Sequence, residues 1–261
     1  MSSSVAGIAS TSSAVAGGLA ALSSSGVLSG VAARDRTLSV LPAFEQLLPS
    51  AVVQRGSVVG CTGSAAVSLA LALAARPSAE GAWVGVVGLP SMGVAAAVEL
   101  GVVPERLVLV AEPEQRFDDA QWADVLATMI DGFDLVVVGP GARQVRAGTA
   151  RRLLARLQAR GAVMVSVGST EPFGADLHFQ ATRTVWQGLG SGHGVAHARR
   201  AQVQLAGRRV PRPRQAELWL PGADGCVQLV HPVTDSVERT SETSHDAASE
   251  AASVVALRRA G

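Results

Sequence analysis

Four short valine-rich runs recur through the middle of the chain: "AWVGVVG" (82–88), "RLVLVAE" (106–112), "FDLVVVG" (133–139) and "AVMVSVG" (162–168). Stretches of helical length separate them. A strand that is apolar at nearly every position is buried on both faces, and the arrangement that buries a strand in this way is a parallel sheet covered by helices on each side. "SVVGC" (57–61) supplies a fifth such strand, followed by a helix over 64–75 with apolar residues at helical spacing. The other helices read as 91–101, with Ser91 as N-cap and Gly101 as its stop, an acid-started helix over 117–132, and an arginine-rich one over 142–160.

After Gly168 the pattern changes. "RTVWQGL" (183–189), "ARRAQVQLAGRR" (198–209), "RQAELWLPG" (214–222) and "GCVQLVHP" (225–232) are strand-like, with no room between them for crossover helices. Antiparallel strands extending the sheet are expected there. The expected organisation is a Ser/Ala/Gly-rich arm over 1–33 with a weak helix at 14–22, an α/β core over 34–233, and a polar tail over 234–261 that closes on a short helix in "AASVVALRRA". No run is long and apolar enough for a transmembrane helix, and the first residues lack a basic leader, so a cytoplasmic protein without membrane contact is expected.

All 22 basic side chains are arginine, so chemistry that depends on lysine is excluded. Their distribution is uneven. Residues 1–139 carry 6 Arg against 12 acids, residues 140–214 carry 13 Arg against 2 acids, and residues 215–261 carry 3 Arg against 7 acids. The central block is the electrostatic footprint of phosphate backbones or of an acidic partner, or else a set of solvated faces. Its candidate contacts are Arg143, Arg146, Arg151, Arg152, Arg156 and Arg160 in the arginine-rich helix, and Arg199, Arg200, Arg208, Arg209, Arg212 and Arg214 in the hairpin region.

"GSVVGCTGSAAVSLALALAA" (56–75) has the outline of a phosphate-binding loop: strand, glycine turn, apolar helix. Its template, G-x-x-x-x-G-K-[ST], needs a lysine on the terminal phosphates and a hydroxyl on magnesium. With Gly60 on the first glycine, Ala65, Ala66 and Val67 occupy the Gly, Lys and Ser/Thr positions, while Gly63 lies inside the turn. The magnesium carboxylate expected at the end of the "DLVVV" strand is replaced by Gly139. Neither a bound cofactor nor catalysis is expected. Cys61 and Cys226 read as inert thiols of a reducing compartment. Trp83, Trp122, Trp186 and Trp219 lie in apolar runs and read as core residues. His193 and His197 stand four apart but lack the further ligands that a metal needs, so no metal is expected.

The order and spacing of elements from Leu38 to Leu229 resemble the RecA recombinase core. "LPAFEQLLPSAVVQRGSVVGCTGSAAVSLALALA" is similar to the stretch that leads into that family's ATP loop, "GVVGLPSMGVAAAVELGVVPERLVLV" to its next strand, helix and strand, and "ARRAQVQLAGRRVPRPRQAELWLPG" to its late hairpin. The resemblance implies Lys and Thr at Ala66 and Val67, a catalytic Glu at Leu89 or Pro90, and a magnesium Asp at Gly139, none of which is present. A RecA-like core without an ATPase resembles the actinobacterial ImuA-type accessory proteins of translesion synthesis. This implies a non-enzymatic adaptor in the DNA-damage (SOS) response, partnered by an ImuB-like Y-family polymerase homologue and, through it, an error-prone C-family polymerase. It also implies a nucleoid location on recruitment to damage, while the shortened DNA-binding loops put DNA binding in the RecA manner in doubt; weak DNA contact through the basic block over 140–214 is a secondary expectation, as is self-association. The alternatives are a cell-division inhibitor resembling SulA, a RecA-like DNA-binding protein, and a nucleotide-binding enzyme with an unorthodox loop.

Overall fold

The computed structural model describes residues 36–48, 51–189 and 194–230. The expected arm over 1–33, the tail over 234–261, and His193, His231 and His245 lie outside the described residues.

Nine strands form one sheet. In chain order they are β3 (Val58–Gly63), β4 (Val84–Val87), β5 (Leu107–Val110), β6 (Leu135–Val138), β7 (Val163–Val167), β8 (Leu177–Leu189), β9 (Gly194–Ala206), β10 (Arg214–Trp219) and β11 (Gln228–Leu229), arranged in the order β11-β10-β9-β8-β3-β7-β6-β4-β5. A separate two-stranded antiparallel sheet joins β1 (Thr37–Ser39) to β2 (Val52–Gln54). From β8 to β5 every neighbour is parallel, and from β8 to β11 every neighbour is antiparallel. The expected α/β class, a mostly parallel sheet flanked by helices and extended by antiparallel strands, is the observed one.

Alternation along the strands divides the core in two. On one face Val59, Cys61, Val86, Val137 and Phe179 pack with helix α1 (Ala66–Ala79) and with Phe44 and Leu47. On the other, Val58, Val136, Val138 and Met164 pack with α3 (Asp119–Gly132) and α4 (Ala147–Arg160). Successive side chains of a strand point to opposite faces, so a strand sandwiched by helices must be apolar at odd and even positions alike. The α3 start is fixed by a capping box: Asp118 Oδ1 accepts from Gln121 N at 2.8 Å, and Asp118 N donates to Gln121 Oε1 at 3.0 Å.

Several expectations are corrected. Helix α2 (Val94–Glu99) is short and starts after Gly93, because Leu89–Met92 closes a turn first (Met92 N to Leu89 O, 3.1 Å), so Ser91 is not its cap. Gly101 ends it in the left-handed region as expected, at φ 99°. The arginine-rich segment is a 3-10 turn (Pro140–Gln144), an extended Val145, and only then α4, so Arg143 and Arg146 stand before the helix. The first C-terminal strand begins at Leu177, and it pairs in parallel with β3 before turning into the antiparallel ribbon. Among the tryptophans, Trp122 is fully buried and Trp219 half-buried, but Trp83 and Trp186 are exposed. Among the described residues, no helix is long and apolar enough to cross a membrane.

Candidate functional site

In an open α/β sheet, ligands enter at the carboxyl ends of the parallel strands, where successive crossovers go to opposite faces. Here that place lies around β3, whose crossover helix α1 covers one face while α3 and α4 cover the other. β3 does not leave the sheet to cradle an anion. It stays paired with β8 as far as Gly63, opposite Ala181. A Cβ at Gly63 would stand 2.1 Å from the Ala181 carbonyl oxygen, and the residue's φ of 87° also favours glycine. Side chains fasten the loop to the same strand: Thr62 Oγ1 lies 2.9 Å from His178 Nε2, and Ser64 Oγ lies 3.0 Å from Thr184 Oγ1.

Ala65 is the N-cap residue of α1 and offers its amides no side-chain partner. Ala65 and Ala66 are buried in the core and Val67 packs partly against it, so none of the three presents a polar group at the start of α1. Gly60 sits within β3 opposite Ser166 and His178. At the end of β6, Gly139 N donates to Val87 O at 2.8 Å. A Cβ on Gly139 would stand 1.8 Å from the Gly88 carbonyl oxygen and 3.2 Å from Leu89 Cδ2, so position 139 has no room for a side chain unless the backbone shifts. Cys61, on the same strand as the loop, is fully buried, and burial pushes its thiol pKa well above the ordinary range. A carboxylate that sequence reasoning passed over, Glu112, follows β5. Its Oε1 accepts from Phe117 N at 3.2 Å, and it crowds Gly141. The strand-plus-acid pattern "LVLVAE" was the available signal.

The twelve candidate arginines do not form one patch. Arg199 turns inward: its Nη2 donates to Ser68 Oγ in the first turn of α1 at 2.5 Å, its Nε donates to Leu220 O at 2.7 Å, and its guanidinium lies 5.0 Å from the Trp186 ring. Burial lowers its pKa. Arg200 grips Glu217 through contacts of 2.7, 2.8 and 3.0 Å. On α4, Arg156 and Arg160 converge on Asp131 of α3, and the Arg156 hydrogen bond in particular holds that carboxyl well below the usual carboxylate range. Arg151 donates to Ala147 O at 3.4 Å and Arg152 to Thr149 Oγ1 at 3.3 Å. Arg143 and Arg146 are exposed ahead of α4. Arg208, Arg209, Arg212 and Arg214 are exposed at the β9–β10 turn, at the opposite edge of the sheet from the loop. No group of three or more metal-ligating side chains occurs among the described residues.

Residues 46–172 match the model of the MT3502 N-terminal domain family, a stretch that runs from just before β2 to just past β7 and includes Gly63, Ala65, Ala66, Val67 and Gly139 but not β8. Over 102 residues, 39% of the chain, the sequence is 37% identical to the uncharacterized protein Rv3395c of Mycobacterium tuberculosis. The match spans 48% of that protein, so the chain spans about half the length of the curated relative it matches.

Proposed function

We propose that this protein is a non-enzymatic adaptor of translesion DNA synthesis: a RecA-like domain that has given up ATP binding and acts through protein contacts in damage-induced mutagenesis. One observation carries the reading. The Gly139 position abuts the Gly88 backbone, so the loss of the magnesium carboxylate is built into the packing of two strands and is more than a change of side chain. The buried alanines at 65 and 66 support the same reading from the other side of the edge. The similarity to a mycobacterial protein supports the actinobacterial ImuA-type subgroup, and with it an ImuB-like polymerase homologue and an error-prone C-family polymerase as partners. The protein acts in the cytoplasm, at the nucleoid after damage.

The test is affinity purification of the tagged full chain from DNA-damaged cells, followed by mass spectrometry. The expected result is co-purification of the Y-family homologue, with the C-family polymerase in substoichiometric amount. Recovery of the tubulin-like division protein in their place would overturn the reading in favour of a division inhibitor.

A further inference from the structure

We propose that the β9–β10 turn and the cavity beside it form a docking site for a short acidic peptide segment with an apolar anchor, supplied by a partner protein. The proposal rests on the adaptor reading above and names the chemistry by which an adaptor of this structure would hold a partner.

The first observation is charge without a partner. Arg208, Arg209, Arg212 and Arg214 fall within seven consecutive positions and are all exposed. Arg55, Arg76, Arg156, Arg160 and Arg200 each hold an Asp or Glu, but among the described residues none of these four does. Four arginines within seven residues give this turn a concentrated positive charge that an anionic partner neutralises. Guanidinium forks match carboxylates in geometry as well as charge.

The second observation is the cavity, about 310 Å³, between this turn and the segment that precedes β2. Leu47, Leu48, Leu177 and Val210 line it, and Arg209 and Arg214 line it as well. Apolar walls beside two guanidiniums suit a side chain such as Leu or Phe that is flanked by carboxylates. A bare phosphate strand would use the arginines and leave the apolar walls unfilled. Proteins that hold single-stranded nucleic acid add aromatic side chains on which bases stack, and among the described residues no aromatic side chain lines this cavity. The turn is also stiff. Pro211 and Pro213 fix φ within it, and Val210 N donates to Gly207 O at 3.1 Å. A preformed surface loses less entropy when a segment binds.

The experiment uses the full chain and fluorescence anisotropy. The probe is a labelled peptide with a Leu-Phe pair between two acidic triplets. Saturable binding is expected. It should weaken by about tenfold or more in the R209A/R214A double variant, and by a similar factor when the Leu-Phe pair is replaced by serines. The R151A/R152A variant on α4 should bind as the unaltered chain does, and excess oligo(dT) should not displace the peptide. Because all the altered side chains are exposed, matching thermal denaturation curves will show that each variant folds. Equal affinity for the serine peptide, displacement by oligo(dT), unchanged binding by R209A/R214A, or no binding at all would each overturn the proposal. The two readings fail separately. If R209A/R214A still captures the purification partner as the unaltered chain does, this site is wrong and the adaptor reading stands. If no partner is captured but the peptide binds, the site stands alone.

Discussion

The carboxyl edge of the parallel strands and the β9–β10 turn at the other edge of the sheet meet their surroundings in opposite ways. At the first, backbone meets backbone and leaves no room for a side chain: a Cβ on Gly63 would meet Ala181, and one on Gly139 would meet Gly88. At the second, four exposed arginines stand beside an apolar cavity, and no carboxylate among the described residues pairs with them. The two ends therefore tolerate variation differently. Strands buried on both faces fix every contact, so a change at their ends must be accommodated by the backbone around it. A turn at the end of an antiparallel ribbon carries no such constraint and is free to acquire a recognition surface.

The contrast can be broken most forcefully at Gly139. Replacing it with aspartate, the residue the resemblance implies for magnesium, drives a side chain into the Gly88 carbonyl and should cost about 3 kcal/mol in urea denaturation. A variant of unaltered stability would show the edge to be more open than described. At the other edge, Arg212→Ala should change stability by no more than about 0.5 kcal/mol, since the side chain is exposed and unpaired. A large loss there would mean that the turn is structural.

Thiol labelling sharpens the same comparison without a mutation. The protein has two cysteines: Cys61 is buried on β3 and Cys226 is exposed. One thiol should react rapidly in the native protein and the second only after denaturation, because burial keeps Cys61 protonated and out of reach. Two rapid reactions would contradict a sealed β3.

The smallest effect concerns Asp131, where α3 meets α4. Arg156 and Arg160 depress its folded pKa, so its contribution to stability is fully present above the unfolded carboxylate value of about 3.9. That contribution is lost as the pH falls through the folded value. Asp131→Asn should therefore flatten the acid limb of the melting temperature against pH and lower stability slightly at neutral pH. An unchanged acid limb would remove the pair from the account. Because the pair is exposed, added salt should weaken it as well.

Much of the parallel half was legible because valine at successive positions has few other uses than a strand buried on both sides. The start of β8 was not. In "EPFGADLHFQAT" a proline and a glycine precede the strand, and its alternation of Leu177, Phe179 and Ala181 makes sense only beside β3, more than a hundred residues earlier. The arginine-rich segment looked like one helix because composition does not reveal that Val145 is extended and that Arg146 N donates to Asp119 Oδ1 at 2.7 Å. The apolar or side-chain-free character of positions 65, 66, 67 and 139 could be read directly from the sequence. Which arginines find a partner could not, since Arg199 turns inward to Ser68 and Arg156 meets Asp131 of a different helix.

Thermal denaturation of the full chain with and without magnesium and ATP shows whether the carboxyl end of β3 is closed to a nucleotide. A folded protein that binds ATP gains about 2.7 kcal/mol when the ligand is at a hundred times its Kd, enough to raise the melting temperature by several degrees. The account predicts superimposable curves at millimolar ATP. A saturable rise in melting temperature that depends on magnesium would contradict it.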